Sequence, residues 1–279
     1  MKRILAAFFA AATMVTFTGC RRTSNEPPNG MTSYNFKEMN TDYIQLKPPA
    51  AGDKIAVIDT DFGEIRVVLY EQYAPNTVRN FIAKAEAGVY NNMPIKAVEN
   101  DAYFLTGGRE DEKGNYLGRE SDDELVDNEY SVDLWPFRGA LMSFSENKGY
   151  NSDARWFIVN NDAETLTKET INELKESANA REDETERDNM IAMFDAFYDY
   201  GGVFGLAGYY TVFGHTYLGL DVVEELTHIP SDENFQASDA VMIKSVTISE
   251  FKDGDATDKY PREPINHADG ENSGAETSD

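Results

Sequence analysis

Between Lys54 and Ile248 the chain is cut into short apolar runs with period-two spacing, and this pattern constrains the fold more than any other feature of the sequence. Ile55, Val57 and Asp59 alternate with Ala56 and Ile58, Asp61-Phe62-Gly63 supplies a turn, and Ile65 to Tyr70 follows as a second run. Such alternation half-buries a strand. Further strands are expected at Tyr103–Leu105, Ala140–Phe144, Trp156–Val159, Thr211–Phe213 and Val241–Ile248. One amphipathic helix is expected over Asn76–Ala87, where Val78, Phe81, Ile82 and Ala85 share a face, Pro75 precedes the first turn and Gly88 stops the last. Many short strands around few helices predict an antiparallel barrel. One stretch departs from the pattern. Residues 161–200 are charged and helical, with Leu166, Ile171 and Leu174 in a first helix and Met190, Ile191, Met193, Phe194, Phe197 and Tyr198 in a second. This helical insertion is expected to lay its apolar stripe on the barrel; the alternatives are a lid or a partner-docking helix.

The ends of the chain have a different composition. Lys2 and Arg3 precede an apolar run, Ile4 to Val15, that is too short to span a bilayer. The run ends in Phe17-Thr18-Gly19-Cys20, which resembles a bacterial lipobox with Phe17 where Leu is usual. Residues 1–20 therefore read as a lipoprotein signal peptide, with Cys20, the chain's single cysteine, as the lipidation site. An ordinary cleaved leader with an incidental cysteine is the alternative. The expected location is the bacterial cell envelope, exported and anchored to a membrane by lipid. Residues 21–52, polar and rich in Pro, Asn and Ser, read as a flexible tether, and 252–279 as a disordered acidic tail. The folded domain is then expected over 53–251. Fifty acidic against 25 basic residues leave a net charge of −25, which repels phosphate backbones and excludes nucleic acid as a partner. His215, His228 and His267 match no metal-ligand spacing, and neither a metal nor another cofactor is expected.

Five segments, in order, resemble the cyclophilin-type peptidyl-prolyl isomerases. They are the strand–turn–strand with Gly63 followed by Ala74-Pro75-Asn76-Thr77-Val78-Arg79-Asn80-Phe81, Gly88 and Tyr90; Tyr103-Phe104-Leu105-Thr106-Gly107-Gly108; Phe137-Arg138-Gly139-Ala140-Leu141; Trp156-Phe157-Ile158-Val159; and Thr211-Val212-Phe213-Gly214 with Gly219-Leu220-Asp221-Val222-Val223. The resemblance spans about residues 53–250 and implies a mainly β fold: a closed eight-stranded antiparallel barrel capped by helices, with a peptide groove on its outer surface.

It also implies the chemistry. Rotation about an X-Pro bond must overcome amide resonance, a barrier of about 18–20 kcal/mol, and a donor aimed at the proline nitrogen helps most in the twisted state. By resemblance the groove is lined by Tyr103, Phe104, Thr106, Phe144, Ser145, Phe157, Leu206 and Tyr210. Several positions depart from the family pattern. Ala97 stands where the family has its catalytic Arg, Thr106 and Arg155 where it has Gln, Tyr210 where many members have His, Gly205 where Trp is common, and Phe144 where Ala is preferred. Arg155 is the expected catalytic residue, a guanidinium reaching the proline amide from the neighbouring strand in place of the missing Arg. The function expected is isomerisation of X-Pro bonds in unfolded exported proteins, weakened by Ala97. The alternatives are a non-catalytic proline-peptide binding module, or a surface scaffold whose insertion helices dock a partner.

Overall fold

Residues 54–70 form the hairpin their alternation predicts: β1 (Lys54–Thr60) pairs antiparallel with β2 (Glu64–Leu69), Ile55 opposite Val68. The Thr60 hydroxyl secures the turn, accepting from the Phe62 and Gly63 amides at 3.1 Å each. The structure is a computed structural model and describes residues 34–110, 116–118, 125–145, 151–161, 166–238, 240–260 and 262–265. Helix α1 (Pro75–Glu86) follows β2, and a distant carboxylate completes its first turn. Glu129 accepts from the Asn76 amide at 3.1 Å and from the Thr77 amide and hydroxyl at 2.8 Å each, satisfying N–H groups that no residue of the helix can reach.

The remaining strands are β3 (Met93–Pro94), β4 (Ala97–Glu99), β5 (Tyr103–Thr106), β6 (Arg109–Glu110), β7 (Tyr116–Gly118), β8 (Val126–Asp127), β9 (Ala140–Ser143), β10 (Asn151–Ser152), β11 (Trp156–Val159), β12 (Val212–Leu218) and β13 (Met242–Glu250). Nine of the described strands form one curled antiparallel sheet in the order β3-β13-β1-β2-β12-β9-β11-β5-β4. Nine replace the expected eight because Ile95 and Lys96 divide one short stretch into β3 and β4. Its amides change partners there: the Ile95 N–H donates to Val241 at 2.8 Å and the Lys96 N–H to Leu105 at 2.9 Å, at opposite ends of the sheet order.

Period two sorts the side chains. Ile58, Ile65, Val67, Phe104, Leu141, Trp156, Ile158 and Phe213 fill the inner face with Val78 and Phe81 of α1 and with Val223 and Leu226 of helix α4 (Leu220–Thr227). Val68, Leu105, Met142, Phe157 and Val212 lie on the other face.

The insertion forms two helices, α2 (Lys168–Asn179) and α3 (Glu184–Tyr200). Each is capped as its sequence suggests: Thr167 accepts from the Thr170 amide at 3.2 Å and Asp183 from the Glu186 amide at 3.0 Å. Gly201 and Gly202 end α3; a Cβ at Gly202 would lie 2.3 Å from the Pro136 carbonyl oxygen, so only glycine fits. The apolar stripe of α3 meets a different partner from the one expected. Met190, Met193, Phe194 and Phe197 pack with Phe36, Met39 and Tyr43 and with Trp135 and Phe137, a separate cluster beside the sheet.

That cluster corrects the reading of 21–52 as tether. From Tyr34 onward the segment is packed, and Gln45 is fully buried. Its amide accepts from the Trp135 N–H at 2.7 Å and donates to the Trp135 carbonyl at 2.8 Å, 3.1 Å from His215 Nδ1. The bond fixes Nδ1 of His215 as an acceptor, and burial holds this imidazole neutral, its pKa well below 6.5. The reading of 252–279 as disordered is likewise corrected through Ile265. Asp258 accepts from the Gly219 and Leu220 amides at 3.3 Å each, Arg262 donates to the Arg138 carbonyl at 3.0 Å and to Thr216, and the Ile265 amide donates to Asp199 at 2.6 Å. Polar residues here are held by side chain–backbone bonds, which composition does not reveal. The leader, Cys20 and the chain beyond Ile265 lie outside the described residues. Among the described residues no helix is long and apolar enough to cross a membrane.

Relative to a chain beginning at Tyr34, one beginning at Asp53 is expected to lose the cover over Trp135, Phe137, Met193 and Phe197. The loss of several buried side chains lowers Tm by about 10 °C or more. Calorimetry on the two chains checks this; equal Tm values would show that the segment contributes nothing.

Candidate functional site

Strands β5 and β11 run side by side, with Leu105 opposite Phe157 and Tyr103 opposite Val159. Gly107, at φ +96°, ends β5; a Cβ there would sit 2.8 Å from the Ala154 carbonyl oxygen, so glycine lets β5 lie against the start of β11. On the outward face the two strands bring together an aromatic cluster. The Tyr103 and Phe157 rings lie 5.3 Å apart, and Tyr210, from the loop before β12, meets Phe157 edge-on at 5.3 Å. Phe144, just past β9, stacks on Tyr210 at 5.9 Å and 19°. Half-buried Leu206 packs on the same group. Phe157 forms its floor and is 2% exposed, covered by the tyrosines. Ser145, two residues past the end of β9, is buried.

Two expected lining residues face the other way. Phe104 packs on Trp156 in the inner core, their ring centroids 6.3 Å apart, and the Thr106 hydroxyl donates to the Pro94 carbonyl at 2.9 Å. Alternation from Tyr103 dictates both placements.

Arg155 is in place beside the cluster but is already engaged. Its Nε donates to both oxygens of Asp153, at 3.0 and 3.1 Å, and Nη2 donates to Oδ2 at 2.5 Å. The guanidinium carbon lies 4.6 Å from the centre of the Phe144 ring. Arg155 is 4% exposed and Asp153 5%. The expectation of a guanidinium aimed at a substrate amide therefore meets a buried, bidentate ion pair. The backbone here extends the β9–β11 ladder, the Phe144 amide donating to the Arg155 carbonyl at 2.9 Å.

On β4 alternation separates Val98, fully buried inward, from Ala97 and Glu99. Ala97 lies opposite Leu105 and Glu99 opposite Tyr103. The negative charge of the Glu99 carboxylate acts on the Tyr103 phenol. Burial, reinforced by that carboxylate, raises the Tyr103 pKa far above the ordinary phenol value. Tyr210 is pushed up to about 12 by burial and then by the charges of Glu99 and Tyr130. Both hydroxyls therefore stay protonated donors at physiological pH. Glu99 and Asp153 were not singled out in the sequence, although each lies two residues from a residue that was, Ala97 and Arg155.

An aromatic floor with two phenolic donors and a carboxylate at its edge suits the binding of an apolar ring next to an amide. Among the described residues no group of three His, Cys, Asp or Glu is placed to hold a metal ion.

Comparison with known proteins bears on family and fold. Residues 55–248 match the family model described as cyclophilin type peptidyl-prolyl cis-trans isomerase/CLD. A Staphylococcus saprophyticus protein named as a peptidyl-prolyl cis-trans isomerase is 28% identical over 212 residues, which cover 75% of this chain and 100% of that protein. One of that name from Staphylococcus aureus is 24% identical over 218 residues, 77% of this chain and 99% of that protein. The crystal structure of a Cryptosporidium parvum cyclophilin type isomerase superposes with a TM-score of 0.51 at 21% identity, over 71% of this chain and 98% of that one, a similarity of fold.

Proposed function

Since this chain belongs to the cyclophilin-type peptidyl-prolyl cis-trans isomerase family, we propose that its outward groove binds X-Pro segments and accelerates their cis–trans exchange, at a rate held down by the alanine at position 97. The observation that carries this reading is the Tyr103–Phe157–Tyr210 cluster, with ring centroids 5.3 Å apart on each side of Phe157.

A proline ring seated on Phe157 leaves its preceding amide beside the tyrosine hydroxyls. As the C–N bond twists, resonance is lost and the nitrogen lone pair localises, so a donor at that atom lowers the barrier. Tyr103 and Tyr210 hold the flanking backbone with protonated hydroxyls. Ala97 offers no side-chain donor, and the loss of one preorganised donor costs about 2.7–4 kcal/mol, or about a hundredfold to a thousandfold in rate. Arg155 acts as a positioning residue, fixing Phe144 and Asp153 along the groove wall. In this reading the barrel is closed by residues 93–99, whose amides turn from β13 to β5.

We place the action at the cell envelope, on exported proteins in which slow X-Pro exchange delays folding. The leader ending at Cys20 supports export and lipid attachment, with residues 21–33 between anchor and domain.

Line-broadening or exchange NMR on a short X-Pro peptide tests the reading. Faster exchange on adding the protein is expected, weaker than a site with the arginine would give. Peptide shifts without faster exchange would make the groove a binding module, and the absence of both would set the groove aside.

A further inference from the structure

The groove lies close to the point at which the described chain begins, Tyr34, and a short series of side-chain contacts joins the two. The Tyr34 and Tyr130 rings meet edge-on with centroids 6.2 Å apart. The Tyr130 hydroxyl accepts from the Asn128 side-chain amide at 3.0 Å, and the same amide donates to the Tyr209 carbonyl at 3.0 Å. Tyr210 follows directly and meets the Phe157 floor edge-on at 5.3 Å. Tyr34 also packs on Trp135, ring centroids 5.1 Å apart, which fixes where the preceding residues join the domain. Those residues lie outside the described ones. Their sequence, Glu26-Pro27-Pro28-Asn29-Gly30-Met31-Thr32-Ser33, holds two consecutive X-Pro bonds, with Pro27 seven residues before Tyr34 and Pro28 six.

We propose that Glu26-Pro27-Pro28 of this same chain occupies the groove, so that any other proline segment must displace it to bind. The proposal rests on the reading of the groove as a proline-peptide site. Seven extended residues span about 25 Å, enough to follow the path from Tyr34 past Tyr130 to Tyr210. Asn29-Gly30, directly after the prolines, is a turn-forming pair and lets the chain double back onto the domain. A segment on so short a tether meets the site at an effective concentration in the mM range. A sequence with an intrinsic Kd of about 1 mM, too weak to matter as a free peptide, then fills the site for much of the time. The groove is thereby reserved for segments that bind more tightly than its own, or that arrive at high local concentration.

The test uses the full chain and compares the parent with Pro27→Ala combined with Pro28→Ala, each titrated with a short X-Pro peptide. Removing the two prolines is expected to raise the apparent affinity for the peptide by about threefold to tenfold, since the tethered competitor is gone. It is also expected to shift the Tyr103 and Tyr210 ring resonances before any peptide is added. Thr32→Ala combined with Ser33→Ala changes the same segment without touching a proline and is expected to leave affinity and resonances as in the parent. The ring shifts are expected to be independent of protein concentration. Shifts that grow with concentration would assign the occupant to a second copy and overturn the proposal. Equal affinities and unshifted rings, with the peptide still bound, would overturn it and leave the reading of the groove standing. A chain whose rings stay unshifted and that binds no peptide would overturn both.

Discussion

Phe144→Ala is expected to raise kcat/KM for a proline peptide by about tenfold. The floor of the groove, Phe157, is 2% exposed because Tyr103 and Tyr210 lie on it, and Tyr210 is held there by the Phe144 ring stacked at 5.9 Å. A proline ring reaches Phe157 only after Tyr210 moves, so part of the binding free energy goes into opening the site. Removing the Phe144 ring lowers that opening cost; an opening free energy of about 1.4 kcal/mol corresponds to tenfold in apparent affinity. Phe144 is only half-buried, so the accompanying loss of stability is modest. Exchange rates and a peptide titration on both proteins measure the effect. A loss of binding instead would show that peptides rest on Phe144 itself.

Arg155→Ala is expected to destabilise the protein by about 3–5 kcal/mol, because it strands the Asp153 carboxylate, 5% exposed, without its cation. In Tm this is about 10 °C or more. Arg155→Ala combined with Asp153→Ala removes both charges and is expected to recover most of the loss, which denaturation of all three variants can establish. The double variant also separates two roles. If Arg155 only positions the groove wall, kcat at a temperature where the variant is folded stays within a fewfold of the parent while KM rises. A fall in kcat of about a hundredfold with KM unchanged would instead identify its guanidinium as the donor to the twisted amide.

The aromatic cluster was legible because Tyr103 and Phe157 belong to motif segments, and Tyr210 directly precedes a third, whose strands are near neighbours in one sheet. Phe104 and Thr106 were drawn into the same list as motif neighbours of Tyr103, although period two alone sends them to the inner face. The same rule, applied two residues on from Ala97, finds Glu99. Asp153 had no such signal, being one of fifty acidic residues, until its carboxylate was seen against Arg155. The packing of 34–47 was missed, because Phe36, Met39 and Tyr43 stand among polar residues and the whole segment read as tether. Gln45 gave no signal at all, because the partners that justify burying it lie 90 and 170 residues away.

The packed segment before β1 also sets how the molecule bears load. Tension applied through the N-terminal side of the chain is met by the Phe36–Gln45 contacts with α3 and Trp135 before it reaches β1. If those contacts peel away, the force passes through Pro48 and Pro49 to β1, which is paired on both edges, with β13 and β2. The segment is expected to yield first, leaving the strands that carry the groove in register while the chain is pulled.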